Sequence, residues 1–170
     1  MLDFLSCLDF AIHRSVYTNV ILKPKQVTCL ESLFLGKDVL GILPTGFGKS
    51  LIFHLLPYLL SRKREIQTRN LNENQQQQTS CVIVISPLNS LIHDQIARLR
   101  LAGVRVRILK TDMDYLDDES ESHDEVCDIL FAHPESIISC KFGRDVLQSD
   151  SYQDSVAAIV IDEAQCILEW

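Results

Sequence analysis

No run of eighteen apolar side chains occurs in the 170 residues, which excludes a helix long enough to span a bilayer. The opening MLDFLSCLDFAIHR carries Asp3 and Asp9 where a secretory signal has a basic leading segment. We therefore expect a soluble intracellular protein. There is no C-x-x-C pair: Cys7, Cys29, Cys81, Cys127, Cys140 and Cys166 are scattered, and no histidine stands near them at zinc-finger spacing. That pattern points to free, mostly buried thiols in a reducing compartment, not to disulfides or a zinc site. Basic residues are nearly missing from residues 111–170, which hold 2 Lys and Arg against 16 Asp and Glu, whereas residues 1–110 hold 14 against 7. A net charge of −7 excludes nucleic-acid binding through bulk charge. Any such contact is local, comes from the basic first part, or needs further parts.

A hydrophobic content of 46% gives a chain of this length a sizeable core in one domain. Residues 43–50 read LPTGFGKS. Two glycines followed by Lys49 and the hydroxyl of Ser50 are what a phosphate-gripping loop requires, because backbone N–H groups wrap an anion only where side chains do not intervene. Lys49 would reach the outer phosphates of a nucleotide, and Ser50 would ligate Mg²⁺. The strict pattern G-x-x-x-x-G-K-[ST] asks for glycine at 43, where this chain has Leu43. A glycine-rich turn without a ligand is the alternative. The flanks favour the phosphate loop: residues 38–43 suit a buried strand, and residues 50–56 can open a helix.

Elsewhere, Leu2, Leu5, Leu8 and Ile12 predict a helix within residues 1–14. Pro24 suits the first turn of a helix through Cys29, Leu30, Leu33 and Phe34, closed by Gly36. The helix from Lys49 is expected to reach about Ser61, interrupted or bent at Pro57. Residues 62–80, with four successive glutamines, are expected to form a disordered insertion. The cluster Arg62, Lys63, Arg64 fits an exposed helix end better than a short nuclear address. The run CVIVI at 81–85 predicts a strand covered on both faces, followed by a helix through Ile92, Ile96 and Leu99 that ends at Gly103. Residues 104–109 alternate as a half-exposed strand. The acidic stretch 112–126 reads as a solvated loop. A short strand leading into a turn over 128–134, a helix at 135–140 and a strand at 155–161 follow, the last running into Asp162 and Glu163. His54 is expected to be packed in a core helix, and His93 and His133 to cap helix starts. Strands near 39, 82, 105, 129 and 158, with helices between them, specify a three-layer α/β/α fold with a mostly parallel sheet. Ligands of such sheets gather at the carboxyl ends of the strands.

A carboxylate directly after a buried strand has a specific use beside a phosphate loop: Asp162 can hold the Mg²⁺ that bridges nucleotide phosphates, together with Ser50. Glu163, projecting another way, can orient or deprotonate the attacking water. These blocks appear together with LKPKQ at 22–26, ISPLNSLIHDQ at 85–95, ILFAHPES at 129–136 and DEAQCILEW at 162–170. In that order the chain, from about residue 15 onward, resembles the front of the first motor lobe of RecQ-type ATP-dependent DNA helicases of superfamily two.

The resemblance implies a P-loop (RecA-like) lobe that binds ATP and Mg²⁺, hydrolyses ATP and contacts single-stranded or forked DNA during 3′-to-5′ unwinding, in nuclear repair or recombination. By it, Gln26 would read the adenine edge, with Tyr17 and Lys23 around the base, although an Arg is usual at the second. Pro44, Thr45, Gly46, Phe47, Gly48, Lys49 and Ser50 would hold the phosphates. The family tolerates Leu43, whereas Phe47 replaces a usual glycine. Ser86, Pro87, Leu88, Asn89 and Ser90 would touch the DNA backbone through hydroxyls and main-chain amides. Gln165 replaces the usual histidine beside the catalytic Asp162 and Glu163. The second lobe, whose arginine finger accelerates related nucleotide hydrolases by about 10³–10⁵, is expected to lie outside this chain, which reads as a lobe truncated after its acidic motif. Neither zinc nor a membrane is expected. The competing reading is a non-enzymatic ATP-binding or regulatory module, and a small-molecule kinase gives Gln26 and the DEAQ block no role.

Overall fold

The computed structural model describes residues 3–17, 19–70, 80–109 and 126–169. The chain divides into two compact units, Met1–Ser80 and Cys81–Trp170.

The first unit is helical. Helix α1 (Phe4–Arg14) starts at Asp3, whose carboxylate accepts the Leu5 and Ser6 N–H groups at 3.3 and 3.2 Å and so satisfies two orphan donors of the first turn. Helix α2 (Pro24–Phe34) begins with proline, where the missing N–H costs nothing. It ends beside Gly36, whose φ of +78° is the left-handed conformation of a helix stop. Helix α3 (Lys49–Asn70) packs against both and buries Phe53, Leu55, Leu56, Leu59 and Leu60.

Two expectations change here. Pro57 lies inside α3, and the helix runs on through residues 62–70, which composition alone assigned to a disordered insertion. Nor is the basic cluster an exposed helix end. The Arg62 guanidinium lies 5.0 Å from the Phe10 ring centroid, and the Lys63 ammonium lies 5.1 Å from that of Phe34 while donating to the Phe34 carbonyl. Glu65 joins Arg62 and Arg69 at 2.7 and 2.5 Å, one turn to either side. Cation–π contacts and i,i+4 pairs thus hold a polar segment that has few apolar residues to bury. The rest of the proposed insertion, 71–79, lies outside the described residues.

The expected strand at 38–43 is absent from the sheet: residues 37–44 have no regular secondary structure, and Leu40 and Ile42 are 80% and 84% exposed. An apolar run becomes a strand only where a neighbour takes its backbone groups, and no strand pairing among the described residues includes it.

The second unit is an α/β fold with a four-stranded, all-parallel sheet in the order β2-β3-β1-β4. Its strands are β1 (Cys81–Ile85), β2 (Val106–Leu109), β3 (Ile129–Ala132) and β4 (Val156–Ile161). Between them run α4 (Asn89–Leu101), which buries Ile92, Ile96 and Leu99, and α5 (Pro134–Ile138), α6 (Lys141–Gln148) and α7 (Asp150–Ser155). One core cluster joins Cys81, Ile83, Leu109, Cys127, Leu130, Ala132 and Tyr152, with Ile137 and Leu147 from the helices against it. Alternate residues Val82, Val84, Ile129 and Phe131 are also buried, as expected of strands covered on both faces. At the amino end Asp128 clamps three strands: its carboxylate takes Arg105 at 2.7 Å, its N–H donates to the Arg105 carbonyl, and its carbonyl accepts the Val82 N–H. The acidic stretch lies outside the described residues, apart from its last residue, Val126.

All six cysteines are free, with Cys7, Cys81, Cys127 and Cys140 buried and Cys29 and Cys166 partly exposed. Hydrogen bonding to Cys127, with burial, pushes the Cys81 thiol far above its ordinary range. Alkylation of the native chain is expected to label Cys29 and Cys166 and to spare the other four until unfolding, as peptide mass mapping would show. Burial also raises the Cys7 thiol above its ordinary 9.0. The unfolded chain alone releases that proton as pH passes 9, so Cys7 contributes stability below pH 9 that falls away above it. Urea midpoints of the wild type and Cys7→Ala, compared between pH 7 and 10, read that contribution.

Candidate nucleotide-binding site

The site residues fall in both units, and each group has its own geometry. In the first unit, Gly46 and Gly48 take φ of +73° and +90°, a backbone region that L side chains rarely enter. The Phe47 N–H donates to the Pro44 carbonyl at 3.1 Å and closes a turn, and the Leu51 N–H donates to the Gly48 carbonyl at 3.2 Å as α3 begins. Lys49 and Ser50 occupy the first turn of that 22-residue helix, where N–H groups without helical partners and the positive end of the helix dipole favour an anion. Pro44 and Thr45 are exposed, and Leu43 is half-buried.

Gln26 is only 2% exposed, and its amide is engaged by this loop. Nε2 donates to the carbonyls of Phe47 and Gly48 at 3.2 and 3.0 Å, while Oε1 accepts the Lys23 N–H at 2.8 Å. Lys23 donates from Nζ to the Phe47 carbonyl at 3.2 Å, and its ammonium lies 4.3 Å from the Phe47 ring centroid. The Tyr17 hydroxyl sits 2.8 Å from Nδ1 of His54, which is packed and meets Phe53 edge-on at 4.8 Å.

In the second unit, the chain leaves β4 with the Asp162 N–H donating to the Ile85 carbonyl at 2.9 Å, and the Asp162 carboxylate accepts the Glu163 N–H at 3.1 Å. Glu163 has φ +51°, the one left-handed non-glycine residue among those described. Gln165 Nε2 donates to its carboxylate, and Ala164–Glu169 form a 3₁₀ helix. Ser50 in the first unit has a hydroxyl and Asp162 in the second a carboxylate, each a hard oxygen donor of the kind that suits a divalent cation. Among the described residues no group of three or more His, Cys, Asp or Glu is arranged around a metal.

Ser86 follows β1 and donates its N–H to the Ala132 carbonyl at 3.0 Å; Pro87 is partly buried, while Leu88, Asn89 and Ser90 are exposed at the start of α4. Sequence reasoning passed over one feature beside them. Among the described residues, the Oγ atoms of buried Ser86 and Ser136 and Nε2 of His133 meet no hydrogen-bond partner. Ser86 and His133 directly follow the paired residues Ile85 and Ala132. His133 thus takes a helix-start position without capping it, and His93 is exposed within α4. The sequence signals for these atoms were the ISPLNSLIHDQ block for Ser86 and the ILFAHPES block for His133 and Ser136.

The two loop glycines separate cleanly. A Cβ at Gly46 would meet nothing within 4 Å, whereas one at Gly48 would lie 2.7 Å from Gln26 Nε2. Gly46→Ala is expected to cost about 1–2 kcal/mol from backbone strain alone. Gly48→Ala should cost more, because it also displaces the Gln26 amide. Thermal unfolding of the two variants checks the order.

Residues 23–170 match the DEAD/DEAH box helicase family. The chain is similar to ATP-dependent DNA helicase Q-like 4B of Arabidopsis thaliana, 28% identical over 93% of this chain and 13% of that protein. It is also similar to the probable ATP-dependent DNA helicase RecS of Bacillus subtilis (strain 168), 31% identical over 87% of this chain and 26% of that protein. A third relative, the RecQ-like DNA helicase BLM of Xenopus laevis, is 27% identical over 95% of this chain and 10% of that protein. The chain thus spans about a quarter or less of each relative. With its parallel sheet and these matches, the chain belongs to the DEAD/DEAH box helicase family, on its RecQ-type side.

Proposed function

We propose that this chain is the ATP-binding and hydrolysing lobe of a RecQ-like 3′-to-5′ DNA helicase acting on single-stranded or forked DNA, in the nucleus of its cell. The observation that carries the reading is the loop at 43–50: two left-handed glycines bring Lys49 and Ser50 to the start of a long helix, in a chain that matches the helicase family over residues 23–170. Lys49 binds the outer phosphates as a point charge, and the loop N–H groups grip the rest of the chain of phosphates. Ser50 and Asp162 would hold Mg²⁺, which when bound neutralises charge on the β- and γ-oxygens. Glu163 orients and deprotonates the attacking water. Gln165 hydrogen-bonds its carboxylate and so supplies in a neutral form the contact that a histidine gives elsewhere in the family. Ser86 to Ser90 contact the DNA backbone, with Leu88, Asn89 and Ser90 exposed at the start of α4.

The test compares ATP·Mg²⁺ binding and hydrolysis, with and without single-stranded DNA, in the wild type, Lys49→Ala and Glu163→Gln. Lys49→Ala is expected to weaken binding about 10- to 100-fold, the worth of one charge-assisted hydrogen bond. Glu163→Gln should leave binding intact and lower turnover about 10²–10⁴-fold. Binding that ignores Lys49→Ala would sink the phosphate-loop reading. Lysine-dependent binding without DNA-stimulated turnover would favour the ATP-binding module instead. Ser90→Ala is expected to weaken single-stranded DNA binding several-fold at low salt and to leave ATP affinity unchanged, which fluorescence anisotropy would show.

A further inference from the structure

Gln26 and Lys23 stand where a base-reading role is expected, yet both reach the backbone of the phosphate loop. In a trans peptide the C=O of one residue and the N–H of the next point in opposite directions. The Phe47 carbonyl is held by Gln26 Nε2 at 3.2 Å and by Lys23 Nζ at 3.2 Å; the Gly48 carbonyl is held by the same amide at 3.0 Å. Fixing those two carbonyls on the Gln26 side turns the N–H groups of Gly48 and Lys49 to the other side, where an anion at the start of α3 would lie. Two features of this sequence maintain the arrangement. The Phe47 ring seats the Lys23 ammonium at 4.3 Å, a cation–π contact that a glycine at 47 would not offer. The bare Cα of Gly48 leaves room for the amide, since a Cβ there would stand 2.7 Å from Nε2.

The geometry points to a clasp made by Lys23, Gln26 and Phe47 that sets the direction of the Gly48 and Lys49 N–H groups, so that these three are positioning residues for the phosphate chain of the nucleotide and not for its base alone. The inference rests on the phosphate-loop reading above and assigns its residues a task within it. Lys23 and Phe47 act as a matched pair: the lysine holds the loop carbonyl, and the ring holds the lysine. Gln26 is the central member, because one amide reaches two consecutive peptide units. A base that recruited the Gln26 amide would have to draw it off the loop, so base and phosphate compete for one side chain.

Inorganic tripolyphosphate separates the two roles, since it carries the phosphates without a base. Binding of Mg²⁺·tripolyphosphate and of Mg²⁺·ATP is measured by calorimetry on the wild type, Gln26→Ala, Lys23→Ala, Lys23→Arg and Phe47→Gly. Thermal melting of each variant shows whether the fold survives. We expect Gln26→Ala to weaken both ligands by the same factor, about tenfold for two lost hydrogen bonds. Lys23→Ala and Phe47→Gly should each weaken both about threefold, and Lys23→Arg should restore both. Loss of ATP affinity with unchanged tripolyphosphate affinity would overturn the clasp while leaving the phosphate loop in place. Wild-type chain that binds neither ligand would overturn the loop reading, and the clasp with it. Should Gln26→Ala melt below the assay temperature, the decision passes to Lys23→Ala: exposed Lys23 can be removed without opening the core, and an unchanged tripolyphosphate affinity there would count against the clasp.

Discussion

Strand β1 is bonded along both edges, to β3 and to β4, and that double ladder levels the carboxyl ends of three strands. Ile85 is opposite Ala132 on one side and Ile161 on the other, so the residues that follow, Ser86, His133 and Asp162, emerge at one end of the sheet. The ladder reaches past the strands themselves: the Ile85 carbonyl takes the Asp162 N–H, and the Ala132 carbonyl takes the Ser86 N–H. A parallel sheet cannot be made by local hairpins. The polar groups at its end are therefore placed by contacts far apart in sequence, and the helices covering the sheet keep water from the backbone that places them.

The first unit works differently. Its glycine loop at 43–50 has no sheet beneath it among the described residues and takes its shape from side chains that arrive from residues 23–26. Aromatic rings serve there as seats for cations: Phe10 for Arg62, Phe34 for Lys63 and Phe47 for Lys23. Each contact ties a basic side chain to the neighbour it packs against. The excess of positive charge in residues 1–110 is thus partly structural, and it is a poor measure of affinity for nucleic acid.

Much of this was legible in the sequence because it follows from local rules. CVIVI at 81–85, the proline that opens α2, Gly36 after it, and the helical spacing of Ile92, Ile96 and Leu99 all lie where the pattern puts them. What failed depended on partners. Residues 38–43 are apolar enough for a strand, but composition cannot say whether a neighbour is at hand. Residues 62–70 are polar enough for a loop, but Phe10 and Phe34, far away in sequence, hold them helical. Helices α6 and α7 were missed because each is short, eight and six residues. At the site, the glycines, Lys49, Ser50, Asp162 and Glu163 were named from motif chemistry. The capture of the Gln26 amide by loop carbonyls and the left-handed backbone of Glu163 were not, since both are tertiary facts.

Among the described residues strand β4 is an edge strand with one neighbour, and it leaves Ile159 and Ile161 64% and 43% exposed at the border of an otherwise well-covered sheet. Natural sheets usually blunt such borders with charge, proline or a covering element. Here the border is apolar and adjoins the acidic pair of the site. Such a border would favour association of chains at high concentration, more strongly in salt that screens the −7 net charge, and a strand docked along β4 would stiffen the backbone from which Asp162 projects.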